Sequence, residues 1–510
     1  MKTENQPPLV SDTPPEISHH KEIVFRNASI VNPDGTISKD MDIFCKEGKI
    51  FKIGKNLKGI SAFSKNVSGK WVIPSIFNTH CHMQLNMPSM LMNISDLKHM
   101  KTSASKQQMQ QLADMFSLGI FNVRDAVTND ISDNEYLLSR AALLPFGNIF
   151  IHRSVAVSML GSCWTPKISF RDKLIKKFAG IKTLAYDNSL SGAVVFSPDS
   201  TPSQVRDAVN IAIDERGAEY IKIYEQRHKL VDFKPGIPLM TLSQLETITD
   251  QARKRGIRTM MHHFSLESFQ RGILAGVDTF SHIVIDELIP DKDLLNFSRL
   301  NCTIEPTLSL AFSLSHWRPN GKINTNRNLA RLDKFRNKEF DKMTDSFWVE
   351  DLREAVKRGF DRIKRNQFTL FGLKNMTAPF EFHETILTTG VENLNNLISA
   401  GATISTGNDG GIPPLPPSAL WYEMALLELF TDIPQDQKGI FILNASTLNG
   451  AKALGLDESM GSISQGKKAS MIFLNKNPLK YPEIIGRLPE LIFNYDIMGV
   501  NPITVPENLT

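Results

Sequence analysis

The stretch WVIPSIFNTHCHMQ, Trp71 to Gln84, decides the fold prediction. Its apolar and β-branched run, Val72 to Phe77, predicts a buried strand, and His80 and His82 follow at the carboxyl end of that strand. Side chains two residues apart on a strand face the same way, so both imidazoles can reach one point while Cys81 faces elsewhere. Neutral imidazole is the commonest metal ligand. The motif alone is a weak signal, because surface histidines and hydrogen-bonded core histidines share it.

The bulk composition predicts a soluble globular protein. The 510 residues allow a large core and more than one folded unit, and the net charge of +4 favours neither a nucleic-acid nor a membrane partner. The sequence contains no run of about 18 apolar residues, so no membrane-spanning helix is predicted. Residues 1–20 are polar and proline-bearing, which predicts a flexible tail and no signal peptide. The cysteines are scattered and lack CxxC pairing, which favours a reducing compartment; they are Cys45, Cys81, Cys163 and Cys302. We therefore predict a cytoplasmic protein.

The rhythm of strands and helices divides the chain into three parts. Residues 21–69 predict short strands with a hairpin turn at Glu47-Gly48, and residues 457–510 return to strands. Between them, residues 70–456 alternate strands with amphipathic helices, two of which, SQLETITDQARKRG and SLESFQRGILAG, end at a glycine. The eight strand candidates are VIPSIF (72–77), IFNVRD (120–125), IFIHRSVAV (149–157), YIKIY (220–224), RTMMHH (258–263), TFSHI (279–283), CTIEPTL (302–308) and ATISTGND (402–409). This pattern predicts an α/β fold, a (β/α)8 TIM-like barrel, with a small β-sandwich domain formed by both chain ends.

One long segment interrupts the barrel between its seventh and eighth strands. Residues 313–375 are basic and contain several aromatic side chains. Insertions after a barrel strand lie on the catalytic face and often form lids. A helical excursion with solvated charges explains the composition equally well, and both readings stay open.

Ligand-type side chains fall at the ends of five predicted barrel strands, where active sites of barrel enzymes collect. Each has an ordinary explanation by itself: a packed core histidine, a surface lysine or a helix-capping aspartate. Their joint occurrence at strand ends predicts convergence on one small volume. The six residues are His80, His82, Lys222, His262, His282 and Asp409.

The motifs around these residues resemble the amidohydrolase superfamily of metal-dependent hydrolases. The closest resemblance is to the imidazolonepropionase-like group, which includes prolidase-like dipeptidases and ochratoxin-degrading amidases. The matching segments are THCH (79–82), GIFNVRDA (119–126), AEYIKI (218–223), MHH…GVDTFSH (261–282), TGND (406–409) and NASTLNGAKALGL…GSISQGKKASMIFLNKNPL (444–479).

The resemblance implies a binuclear centre of two divalent metal ions, usually zinc. It implies that His80, His82 and Asp409 hold one ion and that His262 and His282 hold the other. Lys222, carbamylated by CO2, would bridge them, because a carbamate offers two hard oxygens. The implied reaction is hydrolysis of an amide C–N bond by metal-bound hydroxide, with Asp409 as base and then acid.

The chain departs from this family at positions that concern the substrate. SMLGSCW (158–164) stands where many relatives have S-M-T-G-G-H, so Cys163 replaces a histidine. Phe264 stands where some dipeptidase relatives carry a tyrosine that meets the substrate carboxylate, and a phenyl ring cannot donate that hydrogen bond. Phe264 and Trp164 are predicted pocket walls for an aromatic group, and Arg227 and His228 are candidates for a carboxylate contact.

The leading prediction is an enzyme, a binuclear amidohydrolase acting on N-acyl amino acids, dipeptides or aromatic amides. The alternatives are a mononuclear cyclic-amide hydrolase or deaminase, which Lys222 disfavours because a bridge implies two ions, and a catalytically silent barrel scaffold. The predicted partner is a small-molecule amide, and homo-oligomerisation stays open. We also expect a structural ion pair between Arg124 and Asp125 at the barrel mouth and no ligand role for His263, which should face the opposite way from His262.

Overall fold

The structure is a computed structural model, and the residues it describes are 22–60, 62–83, 100–127, 149–162, 192–228, 236–315, 327–328, 330–332, 349–365, 369–370, 373–374, 384–411, 415–487, 491–494 and 503–504. The predicted flexible tail, residues 1–20, lies outside them. The division of the chain into domains at residues 69 and 456 stays a prediction.

Strands dominate both ends of the chain, and strands alternate with helices between them. The strands are β1 Glu22–Val31, β2 Ile37–Lys46, β3 Lys49–Gly54, β4 Phe63–Asn66, β5 Trp71–Pro74, β6 Ile76–Cys81, β7 Ile120–Asp125, β8 Phe150–Met159, β9 Ala193–Phe196, β10 Tyr220–Tyr224, β11 Arg258–His262, β12 Thr279–Ser281, β13 Thr303–Glu305, β14 Thr369–Leu370, β15 Leu373–Lys374, β16 Thr403–Ile404, β17 Ser470–Leu474, β18 Leu491–Asn494 and β19 Ile503–Thr504. The α-helices are α1 Met100–Ser117, α2 Pro202–Asp214, α3 Leu242–Lys254, α4 Leu266–Ala275, α5 Asp291–Arg299, α6 Leu308–Ser315, α7 Glu350–Lys364, α8 Val391–Ser399, α9 Trp421–Phe430, α10 Gln435–Ser446 and α11 Leu448–Leu454. A π-helical turn, Ile386–Gly390, precedes α8, and a 3₁₀ turn spans Pro482–Ile484.

Both ends of the chain contribute strands to one mixed sheet, in the order β19-β18-β17-β5-β1-β2-β3, with β4 also paired to β1. The predicted turn between β2 and β3 is confirmed: Glu47 and Gly48 both have positive φ, 50° and 75°, as a two-residue hairpin of type I′ requires. The sheet has an aromatic core of its own, in which the ring of Phe25 lies 4.8 Å from that of Phe473 and 4.9 Å from that of Phe493. A sandwich of two separate layers remains an expectation.

Eight parallel strands form the second sheet, in the order β16-β13-β12-β11-β10-β8-β7-β6, with β9 added beside β8. The sheet curls so that its first and last strands approach each other. The N–H of Asp409 donates to the carbonyl of His80 at 2.9 Å, and the N–H of His82 donates to the carbonyl of Gly410 at 2.7 Å. This arrangement is that of a TIM-like barrel, which agrees with the predicted α/β class.

The first predicted strand requires a correction. The run 72–77 is split at Ser75: β5 pairs antiparallel with β17 in the mixed sheet, whereas β6 pairs with β7 in the barrel. Pro74 lacks an N–H and closes the first segment, and the N–H of Ser75 donates to Ser470 at 3.1 Å. The continuous apolar run therefore serves two sheets.

The second to sixth predicted strands are confirmed to within two residues at either end, and β7 and β10 match their predicted limits. The seventh and eighth are shorter than predicted: β13 covers 303–305 of 302–308, and β16 covers 403–404 of 402–409. Strand β9 was not predicted. The two predicted helices are α3 and α4, and each is followed by a glycine with left-handed φ: 69° at Gly256 and 71° at Gly276. Such a residue ends a helix without the steric penalty of a Cβ.

Much of the predicted insertion, residues 313–375, lies outside the described residues. Its described parts include the end of α6, residues 327–328 and 330–332, helix α7 and the short β14–β15 hairpin, and they do lie between β13 and β16. The lid hypothesis stays a prediction. Within the described part of the chain, no helix is long and apolar enough to cross a membrane, and the three described cysteines, Cys45, Cys81 and Cys302, are buried free thiols.

Candidate metal centre

The structure brings the predicted ligand residues together at the carboxyl end of the parallel sheet. All are buried except His82, whose side chain is 25% exposed. His80 lies in β6, Lys222 lies in β10 and His262 ends β11, while His82, His282 and Asp409 follow β6, β12 and the short strand β16. The half-buried ring of His82 therefore marks the side of the cluster that faces solvent.

The first group consists of His80, His82 and Asp409. The Oδ1 atom of Asp409 lies 2.9 Å from Nε2 of His82 and 3.4 Å from Nε2 of His80. Ligand atoms of His80, Asp409 and His282 all lie within 4.8 Å of one another. The predicted convergence of the first, sixth and eighth strands is thus observed.

The second group is the pair His262 and His282. Nε2 of His282 lies 2.8 Å from Nδ1 of His262. The remaining nitrogen of each ring has its own partner: Nδ1 of His282 lies 2.6 Å from the hydroxyl of Thr307, and Nε2 of His262 lies 2.5 Å from the side-chain oxygen of Gln226. Each ring therefore presents one defined edge to the centre.

Lys222 is buried close enough to the cluster for its charge to act on His80, His262 and His282. It pairs with Ala156 of β8 and Met260 of β11 in the middle of the sheet, and only 2% of the residue is exposed. Its Nζ donates to the hydroxyl of Ser281 at 3.4 Å. The lysine side chain is therefore buried and not turned out to solvent, and its role as a bridging ligand stays a prediction.

Burial sets the protonation of the histidines. Loss of hydration lowers the pKa of His80, His262 and His282 well below the usual value, and the ammonium of Lys222 lowers all three further. These rings are therefore neutral at neutral pH, the form in which imidazole binds metals. Burial raises the pKa of Asp409, but the facing rings of His80 and His82 outweigh it, so the carboxyl pKa is lowered overall.

The ion pair expected for Arg124 has a different partner. Its guanidinium pairs with Glu305 at the end of β13 and not with its neighbour in sequence, Asp125. Asp125 instead accepts the backbone N–H of Met83 at 3.2 Å. Successive residues of a strand face opposite sides, so the inward direction of Arg124 takes it across the barrel interior to the seventh strand.

Three residues of the centre have backbone conformations that non-glycine residues rarely adopt. His282, Thr307 and Asp409 have φ values of 74°, 49° and 47°. Left-handed conformations cost such residues on the order of 1–3 kcal/mol and persist where the surroundings enforce them, often at functional sites. All three follow barrel strands on the same face.

Divalent cations fit this set of atoms. Oδ1 of Asp409 is buried and accepts no aligned hydrogen bond, although two imidazole nitrogens lie close to it. The lone pairs of the neutral imidazoles and of the carboxylate face one another, and a cation between them would relieve their repulsion. Imidazole nitrogen together with carboxylate oxygen is a donor set typical of zinc. The orphaned oxygen is the observation that supports a metal.

The predicted substrate residues fall into three groups. The ring of Phe264 stacks on His282, with centroids 4.5 Å apart, and packs edge-on against His262, so it forms a wall of the centre. Arg227 is half exposed, and its Nε lies 3.3 Å from Glu267. The carbonyl of His228 accepts the side-chain amide of Gln226, and a carboxylate contact from Arg227 or His228 stays a prediction. Cys163 and Trp164 lie outside the described residues.

Three residues near the centre were missed from the sequence: Gln226, Glu305 and Thr307. Gln226 lies four residues after Lys222 and so faces the same way if the extended backbone of β10 continues. Glu305 is an acidic residue in the otherwise apolar predicted strand CTIEPTL (302–308). Both signals were available. Buried charges need partners, so the glutamate could have been flagged as a residue of the site.

The family of the chain follows from comparison with known proteins. Residues 71–505 match the Amidohydrolase family. The chain belongs to this family. Its membership supports a hydrolase and confirms the predicted resemblance.

Individual relatives are distant. A 66-residue stretch is 35% identical to 5-methylthioadenosine/S-adenosylhomocysteine deaminase of Aquifex aeolicus (strain VF5), which is 13% of this chain and only 14% of that protein. Among solved structures, a putative prolidase from Bifidobacterium longum has a TM-score of 0.60 at 20% identity, covering 95% of both chains. A. niger ochratoxinase has a TM-score of 0.62 at 13% identity, covering 96% of this chain and 97% of that one. These structural similarities show the fold.

Proposed function

We propose that this protein is a binuclear metal-dependent amidohydrolase that hydrolyses an amide C–N bond. The observation that carries the proposal is the buried cluster of His80, His282 and Asp409, whose ligand atoms lie within 4.8 Å of one another. His82 and His262 contact this cluster, and Oδ1 of Asp409 accepts no aligned hydrogen bond. His80, His82 and Asp409 would hold one cation, and His262 and His282 would hold the other. The neutral imidazoles and the carboxylate favour zinc.

Lys222 would serve as the bridge after reacting with CO2, in a step that forms an N–C bond and releases one proton. Its position supports this assignment on electrostatic grounds. An ammonium buried among three imidazoles would repel cations, whereas a carbamate adds a negative charge and two oxygen donors. The contact with Ser281 directs Nζ toward the centre.

The other steps of the proposed reaction are assigned to the cations and to individual residues of the chain. Bound divalent cations would activate water and polarise the scissile carbonyl. Oδ1 of Asp409 would take a proton from the attacking water and return it to the leaving nitrogen. Phe264 keeps water away from the rings of His262 and His282, and the exposed edge of His82 lies where substrate would enter.

The substrate class we favour is an N-acyl amino acid, a dipeptide-like amide or an aromatic amide. The similarity in fold to a putative prolidase and to an ochratoxinase supports this choice. A deaminase is the second candidate, because the short match to a curated deaminase favours it. The buried lysine within the histidine cluster favours two ions, and hence the amidohydrolase.

A substrate screen tests the proposal. Metal-replete protein is incubated with N-acyl amino acids, dipeptides and aromatic amides, and products are identified by mass spectrometry alongside an ammonia assay with aminopurine nucleosides. Asp409→Asn should abolish turnover, whereas Asp432→Asn, at an exposed position, should not. Ammonia release without amide cleavage would favour the deaminase, and turnover that survives Asp409→Asn would refute the assigned role.

A further inference from the structure

We infer that Glu305 and Thr307, at the end of the seventh strand, are positioning residues that decide which ring nitrogens of His80 and His282 face the metal centre. The inference rests on the proposed function and extends it to a strand that supplies no predicted ligand. Both residues are buried, and both contact an Nδ1 atom: Glu305 that of His80 and Thr307 that of His282.

Glu305 fixes the tautomer of His80. Its carboxyl pairs with Arg124, lies 3.0 Å from Nδ1 of His80 and accepts the hydroxyl of Ser281 at 3.2 Å. A guanidinium keeps its charge, so a neutral glutamic acid would leave the buried Arg124 unpaired, and the carboxylate form is favoured. An ionised carboxylate can only accept hydrogen bonds.

The consequence for His80 is a defined orientation. Its Nδ1 must carry the proton that is donated to Glu305, so Nε2 carries the lone pair. That atom lies on the Asp409 side, 3.4 Å from Oδ1. The same ring could not bind a cation through Nε2 in the opposite tautomer without first moving a proton.

Thr307 orients the ring of His282 without fixing its tautomer, because a hydroxyl can either donate or accept a hydrogen bond. Its oxygen lies 2.6 Å from Nδ1, while Nε2 faces His262 at 2.8 Å. The hydroxyl can therefore keep its contact while Nε2 of His282 exchanges a proton for a lone pair. The φ of 49° at Thr307 is a conformation that persists where the surroundings enforce it, so the backbone that carries this hydroxyl is held in place.

The decisive variant for His80 is Glu305→Gln. The amide oxygen would face Arg124, so the NH2 group would meet Nδ1 of His80, which must then accept. Nε2 would carry the proton, and we expect metal affinity to fall by about 10–100-fold, as is usual when such a partner is lost. A nitrogen-15 spectrum of metal-free, histidine-labelled protein should show the His80 tautomer inverted; its signals are assigned by their absence in His80→Asn.

If Glu305→Gln fails to fold, a matched pair of variants at Thr307 still tests the inference through His282. Thr307→Val keeps the branching and size but removes the hydroxyl, and Thr307→Ser keeps the hydroxyl. We expect a roughly tenfold weaker affinity in the valine variant and wild-type affinity in the serine variant. Affinity is measured by chelator competition, with thermal unfolding of the metal-free proteins as the fold control.

The results separate this inference from the proposed function. Two tightly bound ions in the wild type, with equal affinity in Glu305→Gln and Thr307→Val and an unchanged His80 tautomer, would overturn the inference and leave the proposed function standing. Equal losses in Thr307→Val and Thr307→Ser would also overturn the role of the hydroxyl. A wild-type chain that binds no metal would overturn the proposed function, while the nitrogen spectrum would still decide whether Glu305 sets the tautomer of His80.

Discussion

Replacement of Arg124 by methionine should be among the most destabilising single changes in the barrel. The side chain is fully buried; it donates to the carbonyl of Thr79 at 2.8 Å and to that of Ala453 at 3.4 Å, and it pairs with Glu305. Methionine matches the arginine side chain only as far as Nε and supplies none of these contacts. Breaking a buried ion pair from one side costs about 3–5 kcal/mol, because the remaining charge is left without compensation.

A double-mutant cycle isolates this pair. The free energy of unfolding is measured by urea denaturation of metal-free Arg124→Met, Glu305→Gln and the double variant, with fluorescence and circular dichroism required to give one transition. Neutralising Glu305 removes the stranded charge, so the double variant should lose less than the sum of the single losses, by about 0.5–3 kcal/mol.

The control is Arg253→Met, which removes a surface ion pair with Asp250 in which both side chains are 60% exposed and should change stability little. Additive losses in the cycle, or a loss at Arg124 no larger than at Arg253, would refute the reasoning.

The remaining predictions concern the bridge, the pH dependence and the packing of strand ends. Lys222→Ala should bind fewer than two ions by elemental analysis, and a short carboxylic acid should restore part of the activity; no restoration would argue against a carbamate. Burial raises the pKa of Glu225 to about 7 from its usual 4.5, against the pull of Arg271, so the native state keeps a proton that the unfolded chain releases. The stabilisation from this group is complete below about pH 4.5 and declines as pH rises to about 7, by at most about 3 kcal/mol. Glu225→Gln should therefore flatten the decline of the free energy of unfolding with pH, measured from denaturation curves. An unchanged slope of that free energy against pH would contradict the assignment. Gly407→Ala would place a Cβ 2.5 Å from that of His80 and 2.8 Å from the backbone nitrogen of His80. We therefore expect about 1–3 kcal/mol lower stability and weaker metal binding. Wild-type stability and metal affinity would show that β6 shifts to accept the extra methyl group without cost.

Local signals in the sequence were sufficient for most of the fold. Alternating strands and helices, and glycines that end α3 and α4, depend on neighbours in sequence, which is why YIKIY and IFNVRD were located at their observed limits. The split of the run 72–77 was not predictable in this way. Its two halves are equally apolar, and only the pairing of β5 with β17, about 400 residues away, separates them.

The clustering of the proposed ligand residues was predictable because barrel geometry places strand ends together whatever the loops do. The supporting contacts were not, since they depend on which side chains meet across the barrel. Arg124 was assigned to its neighbour in sequence, although its partner lies 181 positions away in Glu305. The contacts of Gln226 and Thr307 with ring nitrogens likewise require the three-dimensional arrangement of strands four to seven.

Anomalous diffraction from a crystal of the metal-replete protein, recorded on both sides of the zinc absorption edge, tests the central claim most directly. We predict two peaks, one bounded by His80, His82 and Asp409 and the other by His262 and His282, with density for a carboxylated Lys222 between them. A single peak, or none at these residues, would contradict it.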